Sequence, residues 1–206
     1  MQISSTADRR AVLLRRGLLL EYVTLGWNVV GTAIVIAAAI GARSVALAGF
    51  GLDSLIEIFA SVVVVWQLKG ADRGRGRERA ALRLIALAFL GLAVYVLVQS
   101  AYTLGSGARP DPSTSGMVWL VATVAVMLLL AWGKYATGRR LNNQVLMVES
   151  HVTLVDAYLA AAVFVGVALN AALGWWWADP VSSLVIVYYG VREAKEAHKH
   201  ATEIKG

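Results

Sequence analysis

Apolar residues are gathered into six long stretches, which glycine-rich and charged segments separate. These stretches cover approximately residues 18–40, 45–68, 80–104, 117–137, 145–173 and 178–193. A helix needs about 20 mostly apolar residues to cross the hydrocarbon core of a bilayer, which is roughly 30 Å thick. The pattern therefore predicts an all-α membrane protein with six transmembrane helices, the last of which continues into the charged tail.

The segments between the stretches carry residues that interrupt or start helices. Gly105 to Gly116 includes two prolines, and Gly174 follows the fifth stretch. Asp179 followed by Pro180 is typical of an N-cap residue with proline at the first helical position. We therefore expect the sixth helix to begin at this pair.

The basic residues predict how the six helices are oriented. With six spans, the N-terminus, residues 69–83, residues 134–140 and the C-terminus all lie on one side. These segments hold 17 of the 19 Lys and Arg residues, and the other side keeps only Arg43 and Arg109. Because positive charge favours the cytoplasmic side, both termini are predicted to be cytoplasmic.

This topology predicts a multi-pass protein of the cell membrane with three parts. Residues 1–17 form a basic cytoplasmic segment, residues 18–195 form the six-helix membrane domain, and residues 196–206 form a charged cytoplasmic tail.

Composition agrees with a membrane protein and excludes several other classes. Hydrophobic residues make up 58% of the chain and charged residues 16%, whereas soluble proteins have about 25% charged residues. The absence of cysteine excludes a disulfide scaffold and thiolate metal sites. The net charge of +6 does not indicate nucleic acid as a partner, because the basic residues are not gathered on one soluble face.

Three acidic residues lie well inside predicted spans, namely Asp53, Glu57 and Asp156. An ionisable side chain at such a depth costs about 2.5–3.5 kcal/mol on insertion scales. Asp53 and Glu57 are four residues apart, so both carboxylates lie on one face of helix two. Glu57 lies about 18 Å from the start of helix two, and Asp156 lies about 16 Å from the start of helix five. Since these helices run in opposite directions, the acids reach a similar depth near the midplane.

The predicted topology leaves these acids without a basic partner, because Arg83 and Arg43 lie near helix ends. Neighbouring carboxylates in a low-dielectric environment need a compensating cation or bound protons, which predicts a cation or proton site. The alternative is that each acid only bonds to a neighbouring helix and sets the packing.

Other polar residues near these acids have more than one interpretation. Glu149 shares a helix face with Asp156, and it is either a ligand near the cytoplasmic surface or a helix-start carboxylate favoured by the dipole. His151 is a candidate supplementary ligand, although it lies off the direct face. Asn28 is a candidate neutral oxygen donor, and Glu21 is expected to pair with a nearby arginine, Arg15 or Arg16.

The six spans, the cytoplasmic termini and these acids together resemble the cation diffusion facilitator transporters. In that family, helices two and five each carry a His/Asp-x-x-x-Asp pair, and the four side chains bind zinc or a related divalent metal. The sequence Asp53-Ser54-Leu55-Ile56-Glu57 matches the pair of helix two, with Glu in place of the usual second Asp. Asp156 matches the second ligand of helix five, but Val152 stands where the family has its first ligand.

The resemblance implies a divalent metal transporter, not an enzyme, that exports its ion in exchange for protons and forms a homodimer. The chain resembles the compact branch of the family, which has the transmembrane domain only. The family's C-terminal metal-binding domain does not occur within these 206 residues. The family implies zinc as the transported ion, with Mn, Fe, Co and Cd as alternatives. Three carboxylates without a matched histidine favour the harder ions Mn²⁺ and Fe²⁺.

Two other functions remain as alternatives. An integral membrane enzyme acting on lipid would need a catalytic or phosphate-binding motif, and neither H-E-x-x-H nor a phosphate-binding glycine-rich loop occurs in the sequence. A non-transporting membrane assembly subunit would use the acids only for packing. Such a role tolerates Asn in place of Asp53 or Asp156, whereas a metal site does not.

Overall fold

The computed structural model describes residues 2–69, 75–141 and 144–203, and these residues fold into helices without any strand. The all-α prediction is therefore confirmed for the described part of the chain. The helices are α1 (Gln2–Ala42), α2 (Val45–Lys69), α3 (Arg75–Ser106), α4 (Thr114–Leu141), α5 (Gln144–Leu173), α6 (Ala178–Ser182) and α7 (Leu184–Glu203).

Four segments within these helices are long and apolar enough to cross a membrane, as judged on the described residues. They are Ala11–Ala42, Leu82–Ser106, Thr114–Leu141 and Ser150–Leu173, which match the first, third, fourth and fifth predicted spans. The chain is accordingly a multi-pass membrane protein. The count of six spans and the cytoplasmic position of both termini remain predictions.

The sixth predicted helix is divided in two. α6 ends at Ser182, and α7 begins after Ser183. The N-cap position of α6 is Trp177, and no side chain bonds to the start of this helix. The prediction that Asp179 caps its own helix was wrong, because its side chain points to a different helix.

Asp179 caps the start of α2. Its carboxylate accepts hydrogen bonds from the Ser44 hydroxyl and from the backbone N–H groups of Val45 and Ala46, the latter two at 3.0 and 3.3 Å. The Ser44 hydroxyl oxygen in turn accepts the N–H of Leu47 at 3.1 Å. The first N–H groups of a helix have no partner within the helix, so Asp179 satisfies them from α6 and fixes the start of α2 in place.

We predict that Asp179→Ala lowers the thermal stability of the protein in detergent. The substitution leaves buried N–H groups and a hydroxyl without their acceptor, at a cost of about 1–3 kcal/mol. A matched control is Asp111→Ala, which removes an exposed acid and should leave the unfolding temperature nearly unchanged. Equal unfolding temperatures for the two variants would contradict the capping role.

The core lies where α2 contacts α3, α5 and α7. A Cβ atom on Gly49 of α2 would lie 2.9 Å from Cδ1 of Ile186 and 3.0 Å from Cγ2 of Val96. α5 approaches α6 even more closely, because a Cβ on Gly166 would lie 2.0 Å from the Ser182 hydroxyl oxygen. Small residues allow membrane helices to pack at such short distances, and these contacts hold α2 and α5 in the interior.

Replacing Gly166 with alanine should destabilise the fold by about 1–3 kcal/mol, as overpacking of a filled interior usually does. The added methyl would also lie 2.8 Å from the Ala178 carbonyl oxygen, which is backbone and cannot rotate away. Gly91→Ala is the control, since no described atom lies within 4 Å of a Cβ there. Thermal unfolding in detergent measures both variants, and a wild-type value for Gly166→Ala would refute the close packing.

Candidate cation site

Three carboxylates from α2 and α5 converge in the interior. One oxygen from each of Asp53, Glu57 and Asp156 lies within 4.8 Å of the others. Asp53 and Asp156 are only 5% and 3% exposed, and Glu57 is half-buried. The spacing of four residues turns both α2 carboxylates to the same side, where α5 presents Asp156. Sequence spacing and depth thus predicted a group of side chains that the structure brings together.

Apolar side chains surround this acidic cluster on both helices. Phe50 lies one turn before Asp53 on α2, and Leu159 and Ala160 lie one turn after Asp156 on α5; all three belong to the main buried core. The core excludes water from one side of the cluster. Charges in such a setting interact more strongly than in water, so the carboxylates repel one another unless a cation or protons compensate them.

α1 supplies a neutral group to the cluster. The side-chain amide of Asn28 donates a hydrogen bond of 3.0 Å to Oε2 of Glu57, and Asn28 is buried. The neighbouring Trp27 stacks on Trp119 of α4 at 4.6 Å and donates its indole N–H to Thr123 at 3.1 Å. These contacts fix α1 against α4 and hold the amide beside the Glu57 carboxylate.

One oxygen of the cluster lacks a hydrogen bond. Oδ1 of Asp156 is fully buried and has no partner among the described residues. Buried polar atoms in proteins are nearly always hydrogen-bonded, and leaving one without a partner costs about 1–3 kcal/mol. The arrangement is therefore chemically suited to a bound cation or proton at this oxygen.

A fully buried lysine lies near the cluster, contrary to the sequence prediction. Lys134 has 0% exposure, and its ammonium group donates to Oε2 of Glu21 at 2.9 Å and to the hydroxyl of Thr153 at 3.1 Å. Residues 134–140 were expected to form a loop between the fourth and fifth helices, and this was wrong because α4 continues to Leu141. The expected pairing of Glu21 with Arg15 or Arg16 is replaced by the Lys134 pair.

The helical pattern of α4 contained a signal for this buried lysine. The buried face of α4 includes Thr123, Met127, Leu130, Lys134 and Thr137, which recur every three or four residues. A charged residue that falls on the apolar stripe of a helix faces the interior. Because Lys134 lies close to Arg139 and Arg140 in the sequence, it was expected to belong to the same basic segment.

The remaining candidate ligands lie apart from the acidic cluster or outside the described side chains. His151 is exposed, and its Nδ1 lies 2.8 Å from the carbonyl oxygen of Met147. The side chain of Glu149 lies outside the described part of the structure. Val152, which stands at the family's usual ligand position on helix five, is 45% exposed.

Parts of this chain are similar to known proteins. The model of the cation efflux transmembrane domain matches residues 22–200. An uncharacterized transporter of Synechocystis sp. is 29% identical over 150 residues, which cover 68% of this chain and 48% of that protein. Transmembrane protein 163 of Xenopus laevis is 23% identical over 155 residues, which cover 70% of this chain and 54% of that protein. The chain thus spans about half the length of the curated relatives it matches.

Proposed function

Because the chain belongs to the cation efflux family, as its sequence motifs indicated, we propose that it transports a divalent metal cation across the membrane. The transported ion binds at the cluster of Asp53, Glu57 and Asp156. Membership of this family and the transporter name of the Synechocystis relative support transport rather than enzymatic activity.

The observation that carries this proposal is the approach of three carboxylate oxygens to within 4.8 Å of one another. A single cation placed among them can contact all three groups and compensate their charge. The unpartnered Oδ1 of Asp156 gains a ligand in the same step. A purely structural role gives no reason to place three acids together in a membrane interior.

The donor set favours a divalent transition metal that accepts oxygen ligands. Carboxylate oxygens suit the harder ions such as Mn²⁺ and Fe²⁺, whereas zinc, the ion implied by the family, also accepts carboxylate. With Val152 in place of the family's fourth ligand, a water molecule or the Asn28 amide oxygen completes the coordination shell. Glu149 and His151, near the start of α5, are assigned to the entry path of the ion and not to the cluster itself.

Proton exchange follows from the charge of the acidic cluster. When the ion leaves, three neighbouring carboxylates in a low-dielectric environment require protons in its place. An arriving ion displaces these protons, and movement of the helices exposes the loaded site to the other side, as in other transporters with midplane sites. The proposed cycle therefore moves metal and protons in opposite directions, with export of the metal taken from the cation efflux family.

We predict that Asp53→Asn, Glu57→Gln and Asp156→Asn each reduce metal transport at least about tenfold. Each substitution keeps the shape of the side chain but removes one charged ligand, and even changes around metal ligands cost about 10–100-fold in affinity. The assay is uptake of Mn²⁺ or Zn²⁺ into proteoliposomes with an imposed pH gradient, with internal pH recorded in parallel.

Asp111→Asn is the matched control, because it neutralises an exposed acid outside the cluster. Transport at the wild-type rate by the Glu57→Gln and Asp156→Asn variants would refute the site. It would instead favour a packing role for the acids. Transport that proceeds without any change of internal pH would refute proton exchange while leaving the metal site intact.

A further inference from the structure

We propose that Lys134 is a tethered counter-charge that weakens cation binding at the acidic cluster and so allows the transported ion to be released. Lys134 acts on the ion through its charge and does not touch it. This inference rests on the proposed transport function, and it assigns a role to a residue outside the carboxylate site.

Burial distinguishes the Lys134 pair from the other ion pairs of the described residues. Arg192–Glu196 and Lys199–Glu203 are exposed pairs within α7, with both side chains at least half exposed. Exposed pairs of this kind contribute little to stability. Lys134 is instead 0% exposed, and burying a charge carries a desolvation penalty that its partner only partly offsets. Stability alone is therefore a weak reason for a charge at this position.

The Lys134 pair joins α4 to α1, and Lys134 also contacts α5, one of the two helices that carry the acidic cluster. Thr153, which accepts from the ammonium group, lies three residues before Asp156 on α5, so the two side chains share a face. Glu21 lies seven residues before Asn28 on α1, which is two helical turns on one face. The pair therefore forms a second polar layer adjacent to the cluster.

The charges of this second layer act on the bound ion in opposite directions. The ammonium group of Lys134 repels a cation at Asp156, whereas the Glu21 carboxylate attracts it. Lys134 is 0% exposed, so its interaction with the ion is only weakly screened, and the Glu21 side chain is 38% exposed. A site that conducts or transports ions must bind them strongly enough to accept them and weakly enough to release them. Lys134 shifts that balance toward release.

A structural role for the same contacts leads to a different expectation. Lys134 ties α4 to α1 and α5 through Glu21 and Thr153, so its loss could simply loosen the helices. In that case removal of either charge would lower stability, and both changes would affect metal affinity in the same direction. The electrostatic role requires affinity changes of opposite sign.

The test is the dissociation constant of the purified full chain in detergent for Mn²⁺ and for Zn²⁺, each measured alone by calorimetry. Lys134→Met keeps the length of the side chain but removes its charge, and it should tighten binding about tenfold or more. Glu21→Gln leaves the ammonium group without its carboxylate and should weaken binding by a similar factor. The double variant should fall between them, and Lys134→Arg should bind as the wild type does.

The outcomes separate this inference from the function on which it rests. Shifts of opposite sign for Lys134→Met and Glu21→Gln support the counter-charge. Unchanged affinity in both variants, or shifts of the same sign, overturns the counter-charge. The proposed metal site still stands in that case if the wild type binds metal and the Asp53→Asn variant does not. Absence of metal binding by the wild type overturns both. If Lys134→Met fails to fold, Glu21→Gln and Lys134→Arg test the proposal instead. A Glu21→Gln variant that binds metal as tightly as the wild type overturns it.

Discussion

The main constraint on the interior is that two helices bring three carboxylates within 4.8 Å of one another. These groups repel one another unless a cation or protons compensate their charge. Apolar packing of α2 and α5 forces this approach, because Phe50 and Leu159 lie in the same buried core beside the acids. The polar groups around them limit its cost. Asn28 donates to Glu57, and Lys134 holds Glu21 next to the turn that carries Asp156.

The rigid placement of α2 is a second condition for this site. Its first N–H groups bond to Asp179 of α6, and Gly49 allows its backbone to approach Ile186 and Val96. A helix held at its start and along its side cannot easily rotate to turn its carboxylates away from α5. The contacts of Asp179 with the start of α2 thus help to keep the α2 carboxylates beside Asp156.

Sequence periodicity was sufficient to predict the five long helices α1 to α5 and the three acids, because an acid within an apolar run is visible from the chain alone. It did not give the contacts of Lys134 and Asp179, although the register of α4 places Lys134 on its buried face. Each of these residues has an ordinary local interpretation, as a cytoplasmic lysine and as an N-cap before proline, and each finds its partners on helices far away in sequence. Glu21 and Ser44, their partners, gave no local signal of these contacts. Long-range pairing of this kind follows from tertiary packing, which local pattern does not encode.

The group of polar residues around the three acids extends to α1, and Val152 stands where the family has a ligand on helix five. With one ligand fewer on α5, the cluster has three charged groups from two helices, and the neighbouring neutral amide comes from Asn28 on a third. The same helix provides Glu21 to Lys134. In the proposed site, a cation would be surrounded by three carboxylates, with further charged and polar groups on α1 and α4 nearby. Because Val152 replaces the first helix-five ligand, we expect the surrounding charges to contribute more to the affinity of the proposed site than they would around four ligands.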